Sequence, residues 1–417
     1  MADGPVDVVV EIAGEDVLAG HLWSHRRRGR ESATFAYADA YLGRSGSYEL
    51  DPALPLVGGQ QQTSDGRALF GAFADCAPDR WGRRLILRAE AYRARAAGAA
   101  GRSFGEIDFL LGVRDDLRQG ALRFREPTTS KFLADERAGV PALIELPRLL
   151  AAAERVERDE AGNDDLATLL HGGSSLGGAR PKAHVLTESG RLSIAKFPSP
   201  ADEWDVVRWE AVALQLARDA GLTVPRARLH EVAGRPVLVT ERFDRSGARR
   251  IGYASAMTML EASDGDTGSY LEIADAIETR SASATADLHQ LWRRVAFTIL
   301  ISNTDDHLRN HGFLRDSTAG WSLSPAFDLN PDPGPGVAHL RTAIDFGDTE
   351  ARLQTLLSVA GEFRLAPEDA RRVASEVAAA TARWAPVAER HGLGPDVIAA
   401  MRPAFEHEQA ELGRSLD

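Results

Sequence analysis

The segment Asn303-Thr304-Asp305-Asp306-His307-Leu308-Arg309-Asn310 sets two carboxylates, two amides and an imidazole directly after an apolar run at residues 295–301. A third carboxylate follows in Ser324-Pro325-Ala326-Phe327-Asp328-Leu329. Polar groups at the end of a segment that should be buried predict either a functional site or a loop whose side chains cap helices and form turns. This stretch alone favours the two interpretations about equally, and the rest of the chain decides between them.

The spacing of these polar residues matches the requirements of phosphoryl transfer. That reaction needs one carboxylate to orient the attacking hydroxyl, and an amide oxygen and a further carboxylate to hold a metal ion beside the phosphates. Asp305 and Asn310 have the Asp-x4-Asn spacing of a protein-kinase catalytic loop, and Asp328 stands where a metal-binding Asp is expected. The pattern therefore favours phosphotransfer chemistry.

The composition indicates a globular protein and excludes several kinds of site. The chain has 417 residues, of which 44% are hydrophobic, enough for two or three structural units. Its formal net charge of -12 opposes binding to DNA or to an anionic membrane without a partner. The one cysteine, Cys76, excludes an internal disulfide and a zinc site built on several thiolates, and it fits a reducing cytoplasm.

The sequence also predicts a cytoplasmic protein that does not contact a membrane. Residues 1–5 lack the basic and apolar regions of a signal peptide. No apolar run approaches the roughly 18 residues that a membrane-spanning helix needs.

Residues 1–128 are predicted to form an N-terminal β-rich module. Strands are predicted at residues 6–12, 17–23 and 34–37. Residues 75–99 predict a helix with many arginines. The basic cluster His25-Arg26-Arg27-Arg28-Gly29-Arg30 is interpreted as a solvated hairpin tip rather than a nucleic-acid contact, because no aromatic residues are interleaved with it. The composition changes at residues 125–130, where the first boundary is expected.

Residues 129–250 are the second predicted part of the chain, which would be the ATP-binding, N-lobe-like part of a kinase. The Gly-rich segment at residues 172–182 would let backbone amides approach phosphates while Lys182 adds a charge, but it matches neither a Walker A loop nor the kinase Gly-x-Gly-x-x-Gly. Lys196 lies in an apolar strand, and Glu210 lies in a helix that could pair it with Lys196. Gly-rich turns are more often plain loops, and strand lysines are mostly exposed, so each signal alone is weak.

Residues 251–417 are predicted to be mostly helical. Helices are expected at residues 270–277, 286–302, 355–360, 367–383 and 395–412. A β-containing part followed by a helical part that carries the Asp/Asn loop is the layout of a bilobal phosphotransferase. The predicted fold class is therefore α+β, a bilobal protein-kinase-like fold with a small N-terminal β-rich module and a helical C-terminal lobe.

The chain resembles the HipA family of toxin serine/threonine kinases over nearly its whole length. Several separate motifs in the right order carry this resemblance, and together they are far more specific than any one alone. They are Phe35-Ala36-Tyr37, Leu54-Pro55-Leu56, Phe109-Leu110-Leu111-Gly112-Val113-Arg114-Asp115-Asp116 with Gly120-Ala121-Leu122, Ser175-Leu176-Gly177-Gly178-Ala179-Arg180-Pro181-Lys182, Glu241-Arg242-Phe243-Asp244-Arg245, Asn303-Thr304-Asp305 with His307 and Asn310, and Ser324-Pro325-Ala326-Phe327-Asp328.

The resemblance implies a role for each matching residue. Asp305 is the expected catalytic residue that orients the substrate hydroxyl, and Asn310 and Asp328 are the expected magnesium ligands. Ser175 matches a serine that such kinases autophosphorylate, which expels the Gly-rich loop and switches the enzyme off, although the neighbouring Ser174 leaves the modified position open. The residues expected to bind ATP are Ser175, Gly177, Gly178, Lys182, Lys196, His307 and Asn310, with backbone groups of Glu241 and Phe243 facing the adenine.

The resemblance also implies partners. The expected protein is an Mg-ATP-dependent serine/threonine kinase, the toxin of a HipA/HipB-like pair. Its expected partner is a small helix-turn-helix antitoxin, and it would contact DNA only indirectly, through that antitoxin. Its substrate would be a protein, and some relatives phosphorylate aminoacyl-tRNA synthetases. Two alternatives stay open, namely a catalytically silent kinase-fold module that serves in binding or co-repression, and a kinase of a small molecule.

Overall fold

The N-terminal module is built on an antiparallel sheet. The computed structural model describes residues 4–129, 131–134, 140–173, 178, 180–334 and 338–416. The strands of this sheet are β1 (Val6–Ile12), β2 (Glu15–Arg27), β3 (Arg30–Tyr37), β4 (Gln60–Gln62) and β5 (Leu122–Arg125), in the order β4-β3-β2-β1-β5. The helices of the module are α1 (Asp39–Leu42), α2 (Gly71–Ala74), α3 (Arg80–Ala96) and α4 (Glu106–Gly112).

The hairpin between β2 and β3 ends at the basic cluster. Arg27 pairs with Arg30 in the register, so Arg28 and Gly29 form a two-residue turn, and both have positive φ angles of 50° and 78°. Such left-handed turns match the twist of the flanking strands. The side chains of residues 25–30 are exposed, which confirms the solvated hairpin tip predicted from the sequence.

A second antiparallel sheet carries the Gly-rich segment and Lys196. Its strands are β6 (Lys182–Leu186), β7 (Leu192–Lys196), β8 (Ala227–Val232) and β9 (Arg235–Glu241), in the order β6-β7-β9-β8. The helices of this region are α5 (Leu146–Glu157), α6 (Asn163–His171) and α7 (Val206–Asp219). Helix α3 shares an apolar core with α5, α6 and this sheet through Trp81, Leu85 and Ala89. The N-terminal module is therefore packed into the core of the neighbouring unit.

The remaining chain is mostly helical around one small sheet. A short hairpin, β10 (Arg245–Ser246) and β11 (Arg249–Arg250), leads into the antiparallel sheet of β12 (Gly252–Ser255), β13 (Gly312–Ser317) and β14 (Gly320–Leu323). The helices are α8 (Ala256–Met259), α9 (Tyr270–Arg280), α10 (Ala284–Leu300), α11 (Leu353–Ser358), α12 (Pro367–Thr381), α13 (Trp384–Arg390), α14 (Pro395–Met401) and α15 (Glu408–Arg414). Helix α10 is buried through its last two turns, which explains the apolar run before the Asp/Asn loop.

The prediction of one long helix at residues 395–412 is wrong, because the structure has two shorter helices there. Helix α14 ends at Met401, a 3₁₀ turn covers Arg402–Ala404, and α15 begins at Glu408. Pro403 lies at the break, and a proline inside a helix lacks the N–H donor and clashes with the carbonyl one turn earlier. Among the described residues, no helix is long and apolar enough to cross a membrane.

Candidate active site

Lys196 lies at the centre of a cluster formed by three separate elements. The ammonium group, at the end of β7, donates to Glu210 Oε1 at 2.6 Å and to Asp328 Oδ1 at 2.8 Å. Glu210 lies in the second turn of α7, on the face that is buried against the rest of the protein. Asp328 follows β14 and has a positive φ of 58°, a conformation that Asp tolerates better than most residues. The pairing of Lys196 with Glu210 is the one predicted from the sequence.

The charges of this cluster reinforce one another. Burial alone would raise the pKa of Asp328, but the charge and hydrogen bond of Lys196, helped by Lys182 and His307, lower that pKa to about 2. Burial alone would lower the pKa of Lys196, but Asp328 and Glu210 raise it above its ordinary value. Lys196 and Asp328 are therefore both charged at neutral pH, as phosphate and metal binding require.

Asp306 fixes the Asp/Asn loop to the protein interior. Its carboxylate accepts hydrogen bonds from the Tyr270 hydroxyl at 2.6 Å and from His311 Nε2 at 3.1 Å, and its backbone carbonyl accepts from the Thr342 hydroxyl at 2.8 Å. Burial would raise its pKa, but the charge of His311 and these hydrogen bonds outweigh burial and lower it. Asp306 is therefore a structural anchor, which the sequence analysis did not recognise.

Asp305 faces the opposite way, into solvent. Its side chain is 70% exposed, and one of its carboxylate oxygens lies 2.9 Å from Nε of Arg341, which is also exposed. The backbone carbonyl of Asp305 accepts a hydrogen bond from Asn310 Nδ2 at 3.3 Å. An anchored loop thus presents an accessible carboxylate, which is the arrangement needed to bind the hydroxyl of a substrate.

Three buried polar atoms near this loop have no hydrogen-bond partner among the residues that the structure describes. They are Asn303 Nδ2, His307 Nδ1 and Asn330 Oδ1. Buried polar atoms are rarely left unpaired, so unpaired atoms close to a candidate site fit one that binds a polar ligand. A hydrogen bond of 2.6 Å from Thr304 to Asp332 ties the loop to the segment that follows Asp328.

The candidate metal ligands of this site, Asn310 and Asp328, are oxygen donors of the kind that magnesium accepts. Within the described ranges, no three His, Cys, Asp or Glu side chains are grouped so that they could hold a metal ion. Magnesium is usually bound by one or two carboxylates together with substrate phosphates and water. Asn310 and Asp328 supply ligands of the right type for such a shared site.

The Gly-rich segment is only partly described. Ser174, Ser175 and Gly177 lie outside the described residues, so their predicted roles stay predictions. Gly178 has a positive φ of 107°, and a Cβ on it would lie 3.1 Å from the ammonium of Lys182. Lys182 lies directly opposite Lys196 in the register of β6 and β7, so both side chains reach the same face of the sheet.

The connector after β9 joins the predicted adenine region to the Asp328 segment. The Phe243 ring contacts Phe327, with ring centroids 5.5 Å apart, and Phe327 directly precedes Asp328. The carboxylate of Glu241 forms an ion pair of 2.9 Å with Arg191, so the Glu241 side chain takes no part in the contact between the two phenylalanine rings. The predicted contacts of the Glu241 and Phe243 backbone with adenine stay predictions.

A buried ionic network lies beside this connector. Asp244 accepts hydrogen bonds from Arg242 at 2.6 and 2.8 Å, from Arg245 at 2.9 Å and from the backbone amide of Gly120 at 2.8 Å. Burial would raise the pKa of Asp244, but the two guanidinium groups lower it well below its usual range. Because Arg242 also donates to the carbonyl of Leu117 at 2.6 Å, the network binds the N-terminal module to the connector.

Comparison with known proteins identifies the family. The HipA N-terminal domain family matches residues 10–117, and the HipA-like C-terminal domain family matches residues 174–385. The chain belongs to the HipA family. Its match to the second of these domains covers the Asp/Asn loop, Lys196 and Asp328, so the cluster described above lies in the family's C-terminal domain.

Individual relatives agree with this assignment. The chain is 25% identical over 334 residues to "Putative kinase Y4mE" of Sinorhizobium fredii, covering 73% of this chain and 74% of that protein. It is 31% identical over 156 residues to "Putative kinase Y4dM" of the same organism, covering 34% of this chain and 37% of that protein.

A solved structure confirms the fold class. The HipA chain from the complex of Shewanella oneidensis HipA, HipB and operator DNA has a TM-score of 0.65 and 14% sequence identity, with 99% of this chain and 100% of that chain covered. At that identity the likeness shows the fold alone. The α+β, kinase-like fold predicted from the sequence is confirmed.

Sequence reasoning missed several residues of the site and its surroundings. Besides Asp306, these include Asp79, which forms an ion pair with Lys182, and Arg341, which forms an ion pair with Asp305. One pattern in the sequence bears on this site. Three of the 49 basic residues Lys and Arg are lysines, and two of the three, Lys182 and Lys196, lie in this site. This pattern marks the two lysines that the sequence analysis had already named, and it gives no signal for Asp79, Asp306 or Arg341.

Proposed function

We propose that the protein is a protein serine/threonine kinase that uses ATP and Mg²⁺. The observation that carries this proposal is the bonding of Lys196 to both Glu210 and Asp328. Kinases need this lysine–glutamate pair and a metal-binding aspartate to be in place together. The exposed carboxylate of Asp305 on an anchored loop supports the same function, because it is accessible to a large substrate.

Each residue has a defined part in this proposal. Lys196 and Lys182 bind the phosphates, and Asp305 accepts a hydrogen bond from the substrate hydroxyl and orients it for in-line attack. Asn310 and Asp328 would hold Mg²⁺, which neutralises phosphate charge when bound. The Nδ1 atom of His307 has no hydrogen-bond partner among the described residues, which supports its proposed contact with the nucleotide.

The remaining assignments rest on the family. Glu241 and Phe243 offer backbone groups to the adenine, and Gly177 and Gly178 allow the close approach of backbone to phosphate. Ser175 is the proposed site of autophosphorylation, where a phosphate adds roughly -1.5 to -2 charges beside the nucleotide and so opposes ATP binding.

In the cell, the proposed role is that of the toxin in a pair with a small helix-turn-helix antitoxin related to HipB. The net charge of -12 supports contact with DNA only through such a partner. The proposed substrate is a cytoplasmic protein, and an aminoacyl-tRNA synthetase is the candidate that the family offers. Radiolabelling of protein extracts and of metabolite extracts with this enzyme and ATP separates a protein kinase from a small-molecule kinase.

The direct test is mass spectrometry of the purified protein after incubation with Mg-ATP, with Asp305→Asn treated alongside it. A phosphate on Ser175 in the wild type only is the expected result. It would establish transfer chemistry, the need for Asp305 and the self-inactivating modification. Absence of phosphate from both proteins, together with no ATP binding by calorimetry, would instead indicate a non-catalytic binding module.

A further inference from the structure

The first turn of α3, which belongs to the N-terminal module, holds Lys182 at two points. Asp79 Oδ2 accepts a hydrogen bond from the Lys182 ammonium at 2.8 Å, and the Trp81 indole donates to the Lys182 carbonyl at 3.0 Å. Asp79 is also the N-cap of α3, since its other oxygen accepts from the Gly82 amide at 2.7 Å. A residue 103 positions earlier in the chain thus fixes a lysine of the candidate nucleotide site.

Electrostatics explains why Lys182 needs this carboxylate. Lys182 and Lys196 are directly opposite each other on adjacent antiparallel strands, where like charges repel. Lys196 is paired with Glu210 and Asp328, and one ion pair of Lys182 is with Asp79. Both side chains of the Lys182–Asp79 pair are buried, at 6% and 5% exposure. Burying an ammonium without a carboxylate partner is strongly unfavourable.

The position of Asp79 is rigid. Trp81 and Leu85 of α3 are fully buried in the core that also holds Ala183 and Ala195 of the two lysine-bearing strands. The ammonium that Asp79 holds lies 3.1 Å from the Cβ position of Gly178, so it faces the Gly-rich segment. An ammonium has three donors, and it can therefore keep Asp79 and still bind a phosphate oxygen.

We infer that Asp79 is a positioning residue of the nucleotide site, supplied by the N-terminal module, which aims the Lys182 ammonium at the phosphates of ATP. This inference rests on the proposed function and extends it, because it makes the N-terminal module part of the phosphate-binding site. Asp79 acts through Lys182 and does not itself touch the nucleotide.

The test compares the affinities of Mg-ATP and of adenosine, measured by calorimetry on the full chain. Asp79→Ala should raise the Kd for Mg-ATP about tenfold, since the ammonium loses its tether, while the Kd for adenosine stays unchanged. Asp79→Asn has a single carbonyl oxygen, which can cap α3 and then turns an N–H₂ group towards the Lys182 ammonium. Its Kd for Mg-ATP should therefore rise about as far as that of the alanine variant, although the helix cap is kept. The matched control is Asp159→Asn, which removes the exposed carboxylate of an ion pair with Arg88 of the same helix; Asp159 lies just after α5. This control should bind both ligands like the wild type.

A second experiment tests whether Asp79 acts through Lys182. It also tests the inference if the Asp79→Ala variant does not fold. In a Lys182→Met background, adding Asp79→Asn should leave the Kd for Mg-ATP unchanged, because the group that Asp79 positions is gone. Additive effects of the two changes would overturn the inference.

Other outcomes contradict different claims. Unchanged or tighter ATP binding by Asp79→Ala, or equal losses for ATP and adenosine, would overturn the inference while the proposed function stands. A wild-type protein that binds neither adenosine nor Mg-ATP would overturn the proposed function, and the inference with it.

Discussion

Asp305 and Asp306 are chemically identical neighbours in opposite surroundings. The Asp305 side chain is 70% exposed and lies beside Arg341, whereas Asp306 is buried and bonded to Tyr270 and His311. Under the proposed function, phosphotransfer needs a carboxylate that a substrate can reach and a loop that does not move, and the two residues would divide these tasks.

The two residues should therefore respond differently to the same substitution. Asp305→Asn should abolish phosphotransfer and change the free energy of unfolding by less than about 0.5 kcal/mol, because the side chain is exposed. Asp306→Asn should cost about 2 kcal/mol, because its new N–H₂ group faces donors that had bonded to a charged acceptor. Urea unfolding of both variants, with a kinase assay, measures both effects. Equal stability losses would contradict this division.

The charge of Asp328 has a pH dependence that can be measured. Its pKa of about 2 lies below the ordinary value, so its ionisation contributes stability above the unfolded pKa, and that contribution is lost only as the pH falls towards 2. The difference in unfolding free energy between the wild type and Asp328→Asn should therefore stay constant from pH 7 to about pH 5. Burial raises the pKa of the neighbouring Glu210, so the comparison is also made in a Glu210→Gln background. A difference that already shrinks near pH 6 there would show that Lys196 does not keep the Asp328 carboxylate ionised.

Among the elements, the connector after β9 depends most on buried charge. Asp244 joins Arg242, Arg245 and the amide of Gly120, and the Arg242 side chain is only 1% exposed. Removing one partner of a buried ion pair is far more costly than removing one at the surface, because the other charge stays buried without compensation.

Asp244→Asn should accordingly lower the free energy of unfolding by about 3 kcal/mol or more. Asp316→Asn is the matched control, since Asp316 forms an ion pair of 2.8 Å with Arg249 in which both side chains are about half exposed. That change should cost no more than about 1 kcal/mol. Chemical denaturation of the two variants tests the contrast, and similar losses would mean that the network contributes little.

Local patterns predicted most of the elements and the residues of the Lys196 cluster. Asp305, Asn310 and Asp328 follow a short, fixed spacing, and Lys196 and Glu210 lie on a strand and the next helix. The contacts of Asp79 with Lys182 and of Asp244 with Gly120 join residues more than a hundred positions apart, and no local pattern reports them. Pro403 was a local signal for the helix break, but the apolar periodicity on both sides of it favoured one continuous helix.

At the scale of the whole molecule, the N-terminal module is joined to the rest by a shared core and by buried polar contacts. Trp81 and Leu85 pack with α5, α6 and the second sheet, while Asp75 accepts hydrogen bonds from the Ser255 amide at 2.7 Å and the Thr258 hydroxyl at 2.8 Å. Separating the module would expose apolar surface to water and leave these polar groups without their hydrogen-bond partners.

The protein should therefore unfold in a single thermal transition, although it contains several structural units. Differential scanning calorimetry should give equal calorimetric and van't Hoff enthalpies. A separate transition of the N-terminal module at lower temperature would show that its interface is weaker than the buried contacts indicate.

The scarcity of lysine has a practical consequence for handling the protein. Of the three lysines, Lys182 and Lys196 have their amines buried in ion pairs, which leaves Lys131 as the accessible lysine. Succinimidyl dyes, glutaraldehyde and amine-coupled sensor surfaces would attach at few places, and always far along the chain from the Asp/Asn loop. Nearly all of the surface would stay unlabelled, so a low labelling yield would reflect the sequence rather than misfolding.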